Sequence, residues 1–150
     1  MVSRMDDGGE NRLKLSAPGG ERPSVAIVGG TPAQATIAAV LVAQFGCSVR
    51  CARSGEAALA LLRGQATDLI VMDLVLPDMD GLVAMHLIRA LGGRYRPPII
   101  ALTSAARRTG QQPQRLDDMC RKLAKPYSPR ELFGAMQTAL ASAEAALEPA

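Results

Sequence analysis

At 150 residues, 48% hydrophobic and 21% charged, the chain is large enough for one domain with a real apolar core and too hydrophobic for wholesale disorder. No run of about 18 apolar residues occurs and the N-terminus lacks the apolar middle of a secretory signal, which excludes a spanning helix and leads us to expect a cytoplasmic protein without membrane contact. The formal net charge is only +3, with Arg4, Arg12, Lys14 and Arg22 of the first 23 residues balanced by Asp6, Asp7, Glu10 and Glu21, so direct DNA binding is not expected.

Residues 1–23 are polar, Gly-rich and aperiodic, and read as a flexible leader. Val25 to Val28 is a short continuous apolar run, the pattern of a strand covered on both faces. Thr31-Pro32-Ala33-Gln34 then opens a helix: Thr31 caps, Pro32 suits the first helical position and Gln34 completes a capping box. Ile37, Val40, Leu41 and Phe45 follow at helical spacing, and Gly46 ends the helix. Ala35, Ala38, Ala39, Val42 and Ala43 make it apolar on more than one side, which suits good helix formers and a partner groove equally. Cys47 to Cys51 is strand-like and puts both cysteines on one face. With Cys120 they match no zinc pattern and read as small buried or half-buried hydrophobes.

A second helix runs from Ser54 to about Leu62. Leu69 to Met72 forms a third strand, with Asp73 at its C-terminal end. The turn-rich stretch Pro77-Asp78-Met79-Asp80-Gly81 leads into a helix from Leu82 to about Ala90, stopped by Gly92-Gly93. His86, the only histidine, lies on that helix as a partly exposed packing residue. Ile99 to Leu102 makes a fourth strand ending at Thr103. From Ala105 to Met119, Gly110 and Pro113 predict a short or irregular helix. Arg107, Arg108, Arg115, Arg121 and Lys122 make its surroundings basic, a solvated face before it is a partner surface. Lys122 to Ala124 is a short fifth strand before Lys125-Pro126. Ser128-Pro129-Arg130-Glu131 repeats the capping box and opens a last helix to about Ala146, leaving 147–150 as a tail.

Strands alternating with helices over residues 24–146 predict an α/β domain built on a mostly parallel sheet. In such sheets chemistry collects at the C-terminal strand ends, where Asp73, Thr103 and Lys125 all stand. A carboxylate there can attack phosphorus to give an acyl phosphate. Because the transferred group is anionic, such a site also needs positive charge and directed hydrogen bonds, which Lys125 and the Thr103 hydroxyl supply.

Three runs carry a family resemblance: Val71-Met72-Asp73-Leu74-Val75-Leu76-Pro77-Asp78-Met79-Asp80-Gly81, Ile99-Ile100-Ala101-Leu102-Thr103-Ser104 and Leu123-Ala124-Lys125-Pro126-Tyr127-Ser128. In this order and at these separations they resemble the receiver domain of response regulators, over roughly residues 24 to 142. The resemblance implies a flavodoxin-like, doubly wound five-stranded parallel sheet in the order 2-1-3-4-5 with helices on both faces, the order of the chemotaxis receiver CheY. It further implies Asp73 as phosphoacceptor, Thr103 as a phosphoryl ligand, Lys125 paired with the phosphoryl group and with Asp73, the Val75 carbonyl as a Mg²⁺ ligand, and a cis Lys125-Pro126 bond. Implied partners are a sensor histidine kinase or a histidine phosphotransfer protein, with a downstream protein as target. With no effector domain fitting after residue 142, output is expected through protein contact and no enzymatic activity is expected.

Two positions depart from the family. The first strand of receivers ends in two acidic residues that help hold Mg²⁺; here they are Gly29 and Gly30. Losing two carboxylates removes attractions of about 1–4 kcal/mol each, and Mg²⁺ affinity falls by a factor on the order of 10² to 10⁴. Mg²⁺ binding at Asp73 and Val75 is therefore expected to be weak or absent, unless Asp78 or Asp80 substitutes. Gly29-Gly30-Thr31 resembles no nucleotide-binding loop. At the family's aromatic switch position stands Lys122, whose charge resists an apolar pocket. Both departures support an alternative: a pseudo-receiver that binds proteins without phosphorylation. A phosphate-ester enzyme using Asp73 as nucleophile would lack a second acid or base. Tyr127 is expected to pack.

Overall fold

The structure is a computed structural model that describes residues 2–7, 10–17, 20–91, 97–103 and 120–147. Its elements in chain order are β1 (Val2–Asp7), β2 (Glu10–Leu15), β3 (Ser24–Val28), α1 (Pro32–Gln44), β4 (Ser48–Ala52), α2 (Gly55–Gly64), β5 (Leu69–Asp73), α3 (Gly81–Ala90), β6 (Ile99–Thr103), β7 (Arg121–Ala124) and α4 (Pro129–Leu147). The irregular helix expected over 105–119, with Arg107, Arg108 and Arg115, lies outside the described residues, as do Gly92-Gly93 and the last three positions of the expected tail.

Five strands form one sheet in the order β4-β3-β5-β6-β7, every neighbouring pair parallel. Counted from Ser24 this is 2-1-3-4-5, the expected order. Every residue of β5 and of β6 is buried, as a strand covered on both faces requires. Their side chains alternate between two cores. Leu69, Val71, Ile100 and Leu102 join Val25 and Ile27 beneath α1 and α4. Ile70, Met72, Ile99 and Ala101 join Ala26 and Val28 against α2 and α3. Phe45 and Phe133 meet edge to face with centroids 5.0 Å apart, tying the end of α1 to α4.

The helix starts follow the local chemistry. The Gln34 N–H donates to Thr31 Oγ1 at 3.2 Å, while Gln34 Oε1 accepts the Thr31 N–H at 3.1 Å. Ser54 Oγ accepts the Ala57 N–H at 3.0 Å. The Ser128–Glu131 box closes at 2.9 and 3.1 Å. Helix α1 buries only Ala38 and Val42 fully, and leaves Ile37 and Val40 58% and 52% exposed. Its apolar residues therefore exceed what the core takes up. Cys51 is exposed on the edge strand β4, whereas Cys47 is buried just before that strand begins, so the strand face expected to hold both cysteines holds only Cys51. Burial pushes the Cys47 thiol up to about 12, which leaves it protonated and unreactive at neutral pH.

The N-terminal leader is a correction to the sequence reading. β1 and β2 pair antiparallel from Val2–Leu15 to Asp7–Glu10. Leu15 is buried in the α1/α4 core, and its N–H donates to the Phe45 carbonyl at 2.8 Å. That bond satisfies a carbonyl that the end of α1 leaves without a helical partner. Leu13, Leu15 and Ala17 do alternate, but the run is short and set among charged and Gly-rich residues, which is why composition suggested a flexible leader. Leu15→Ala is expected to destabilise the chain by about 2–3 kcal/mol in urea unfolding, whereas a leader free of the core would give a change within about 0.5 kcal/mol.

Candidate functional site

The C-terminal ends of β3, β5, β6 and β7 meet around Asp73. Its backbone is the last residue of β5, in register with Leu102 of β6. By parity it follows Leu69 and Val71 toward the α1/α4 side, and it is only 4% exposed. A buried carboxylate needs both charge and hydrogen bonds, and Asp73 has them. The Val75 N–H donates to Oδ1 at 2.9 Å, and Lys125 Nζ lies 2.6 Å from Oδ2. The Lys125 N–H in turn donates to the Thr103 carbonyl at 2.7 Å, which locks the β7 end beside β6. The Lys125-Pro126 peptide is cis, as the resemblance implied.

Asp73 and Lys125 are thus brought into contact from 52 residues apart. Thr103 is buried at the adjacent strand end, but it has the opposite parity, and its side chain hydrogen-bonds neither of them in this structure. Tyr127 packs partly buried against the α1/α4 core, and its phenol is pushed up by desolvation and then by the Asp73 charge. Lys122 is exposed on the edge strand β7, so its charge stays out of the core. His86 is exposed on α3.

Gly29 and Gly30 follow β3 directly and form one wall of the site. Both have positive φ, 76° and 84°, a region costly to side chains. A Cβ on Gly30 would sit 3.7 Å from Asp73 Oδ2, and one on Gly29 would meet Leu76 Cδ2 at 2.6 Å. The pair, where the resemblance implied two carboxylates, is thus a turn with its own backbone shape. Placing acids there with Gly29→Asp and Gly30→Asp is expected to lower stability by about 1 kcal/mol for each residue forced into the left-handed region, as read by denaturant unfolding of the single and double variants.

Asp78 and Asp80 do not replace the pair, because both carboxylates are used elsewhere. Asp78 Oδ1 and Oδ2 accept the Gly55 and Glu56 N–H groups at 2.9 and 3.0 Å, holding the N-terminus of α2. Asp80 Oδ1 accepts the Leu82 N–H at 2.7 Å and caps α3. Gly81 lies so close to Leu74 that a Cβ would fall 2.5 Å from the Leu74 carbonyl oxygen, which explains the Asp-Gly pair there. Among the described residues no group of three or more His, Cys, Asp or Glu is placed to hold a metal ion. Asp73 is the one carboxylate lining the cleft among the described residues and is already paired with Lys125, so with the Val75 carbonyl alone it is a poor fit for Mg²⁺, which is usually held through one or two carboxylates with waters and phosphate oxygens.

Two clefts open onto Asp73. One of about 430 Å³ lies over Gly30, Thr31, Arg53, Val75 and Lys125. The other, about 670 Å³ and mostly apolar, runs from Asp73 and Lys125 along Ile37, Ala38 and Leu41 of α1 to Tyr127. Arg53 is the site residue that the sequence reading missed. It lies just past β4, with no motif around it, and only the pairing of β4 with β3 carries it to the cleft.

A profile of the response regulator receiver domain matches residues 25–137. The chain belongs to the response regulator receiver family. It is 33% identical over 113 residues to sensor protein GacS of Pseudomonas syringae pv. syringae, covering 73% of this chain and 12% of that protein. It is 34% identical over 110 residues to the histidine-protein kinase BarA of Escherichia coli K12, again 73% and 12%. The chain therefore spans only about an eighth of the length of these relatives. The receiver domain of sensor histidine kinase PA1611 from Pseudomonas aeruginosa PAO1 superposes with a TM-score of 0.71 at 30% identity, over 80% of this chain and 98% of that one; its cleft holds a magnesium ion. A CheY-like receiver from Methylobacillus flagellatus, at 23% identity and TM-score 0.72 over 79% and 98%, shares the fold. Such receivers are modules of two-component signalling. No helix among the described residues of this one is long and apolar enough to cross a membrane.

The Asp78 tether gives the receiver a pH dependence of known sign. Its two backbone N–H bonds hold the carboxyl below its ordinary value of 3.8. A group depressed on folding stabilises above its unfolded value and loses that contribution as pH falls through the folded one. Asp78→Asn is expected to be less stable than the parent at pH 7 and to converge with it below the ordinary carboxylate range, as measured by thermal melting across pH.

Proposed function

We propose that this receiver accepts a phosphoryl group on Asp73 from a phosphohistidine of a sensor kinase or histidine phosphotransfer protein, and signals by protein contact. The observation that carries this reading is the Asp73–Lys125 pair at the carboxyl edge of the sheet. It holds a buried carboxylate ready beside a cation and beneath an open cleft. An ionised carboxylate needs no base to act as nucleophile. Lys125 can transfer its charge from the carboxylate to a phosphoryl oxygen as the acyl phosphate forms. Thr103, on the neighbouring strand, would reach the group only after a shift of its side chain. The exposed Ile37 and Val40 of α1, beside the apolar cleft, supply a surface for a partner's helix.

One observation favours a second reading. Gly29 and Gly30 leave the site without the acidic pair, which fits a pseudo-receiver that binds partners unphosphorylated. Incubation with acetyl phosphate in Mg²⁺ buffer, followed by intact-mass spectrometry, separates the two. The expected result is a single phosphoryl adduct that Asp73→Asn abolishes. A folded chain that gains no adduct is a pseudo-receiver.

A further inference from the structure

Phosphorylation at Asp73 would place a dianionic group in a cleft whose metal-holding carboxylates are missing, and some positive charge must balance it. Lys125 supplies one. Among the described residues the other cation lining the cleft is Arg53, between the end of β4 and Ser54 at the start of α2. The register of β4 with β3, and the Gly29 N–H donated to the Ala52 carbonyl at 2.9 Å, hold its backbone beside the glycine turn. The Arg53 side chain is exposed and forms no ion pair among the described residues, so its guanidinium is available. Among the described residues, the formal charges lining this cleft are those of Asp73, Arg53 and Lys125, a net of +1 before any ion binds. A site carrying three carboxylates and one lysine would be net −2 and would need a dication before a phosphoryl donor could approach.

We infer that Arg53 takes the place of a divalent cation over Asp73, so that this receiver is phosphorylated without a metal. The inference rests on the reading of Asp73 as phosphoacceptor. Guanidinium is planar, always charged and able to hold two phosphoryl oxygens at once, which a lysine cannot do. Gly30 leaves open the space that a side chain would fill 3.7 Å from Asp73 Oδ2, where the incoming group must sit. In the reaction an Asp73 carboxylate oxygen bonds to phosphorus and the bond from phosphorus to the donor's leaving atom, an imidazole nitrogen of phosphohistidine or the acetate oxygen of acetyl phosphate, breaks with its electron pair staying on that atom. With acetyl phosphate as donor, acetate departs as its anion and no proton has to move. Arg53 and Lys125 hold the charge on the phosphoryl oxygens throughout.

The test is a time course of adduct formation with acetyl phosphate on the full chain, in EDTA and in Mg²⁺, for the parent, Arg53→Gln, Arg53→Lys and Asp73→Asn. The parent is expected to react in EDTA as fast as in Mg²⁺. Arg53→Gln is expected to slow the EDTA reaction about 10- to 100-fold, the scale of a lost charge-assisted contact, and Arg53→Lys to recover part of it. Because Arg53 is exposed, both variants should melt with the parent, which separates a lost contact from a lost fold. An adduct that forms only with Mg²⁺, or one whose EDTA rate ignores Arg53→Gln, overturns the inference and leaves Asp73 as phosphoacceptor. No adduct in either buffer from the folded parent overturns both.

Discussion

The contact between Asp73 and Lys125 is the constraint around which this receiver is arranged. A carboxylate at 4% exposure is costly unless it is paired and hydrogen-bonded, and here one lysine and one backbone N–H meet that need. The lysine comes from the far end of the chain, so the pair forms only when β5, β6 and β7 lie side by side in register. Everything that aligns those strands, from the two apolar cores to the bond between Lys125 N–H and the Thr103 carbonyl, also sets the geometry of the site.

A second feature follows from the backbone instead of from charge. The chain turns out of β3 through two successive glycines in the left-handed region, a shape that acidic residues adopt at a cost. Charge around Asp73 is thereby moved away from neighbouring carboxylates and toward cations. The two nearby acids that could have compensated serve as helix tethers, one on α2 and one on α3. Their oxygens are engaged by backbone N–H groups that have no other partner at a helix start.

Much of this was legible from residue patterns. The apolar runs marked β3, β5 and β6 because strands buried on both faces show no polar alternation. Thr31 with Gln34 and Ser128 with Glu131 marked two helix starts because capping is local chemistry, complete within four residues. The β1–β2 hairpin was missed for the opposite reason. Its anchor, Leu15, is held by the end of a helix about thirty residues away, a contact that the short alternation of Leu13, Leu15 and Ala17 does not reveal. Cys47 shows a related limit: it lies one residue before β4, so the period-two face of that strand did not decide its burial.

By itself the sequence determined the strand and helix pattern, the sheet class, and the presence of Asp73, Thr103 and Lys125 at strand ends, because each depends on short-range periodicity, capping and turn chemistry. Only the tertiary structure decided that Asp73 and Lys125 touch without the Thr103 hydroxyl joining them, that Asp78 and Asp80 are bound to helix ends, and that Arg53 lines the cleft. Those outcomes depend on strand register and on which side chains meet across elements distant in sequence. Separations along the chain carry no such information until the sheet is assembled.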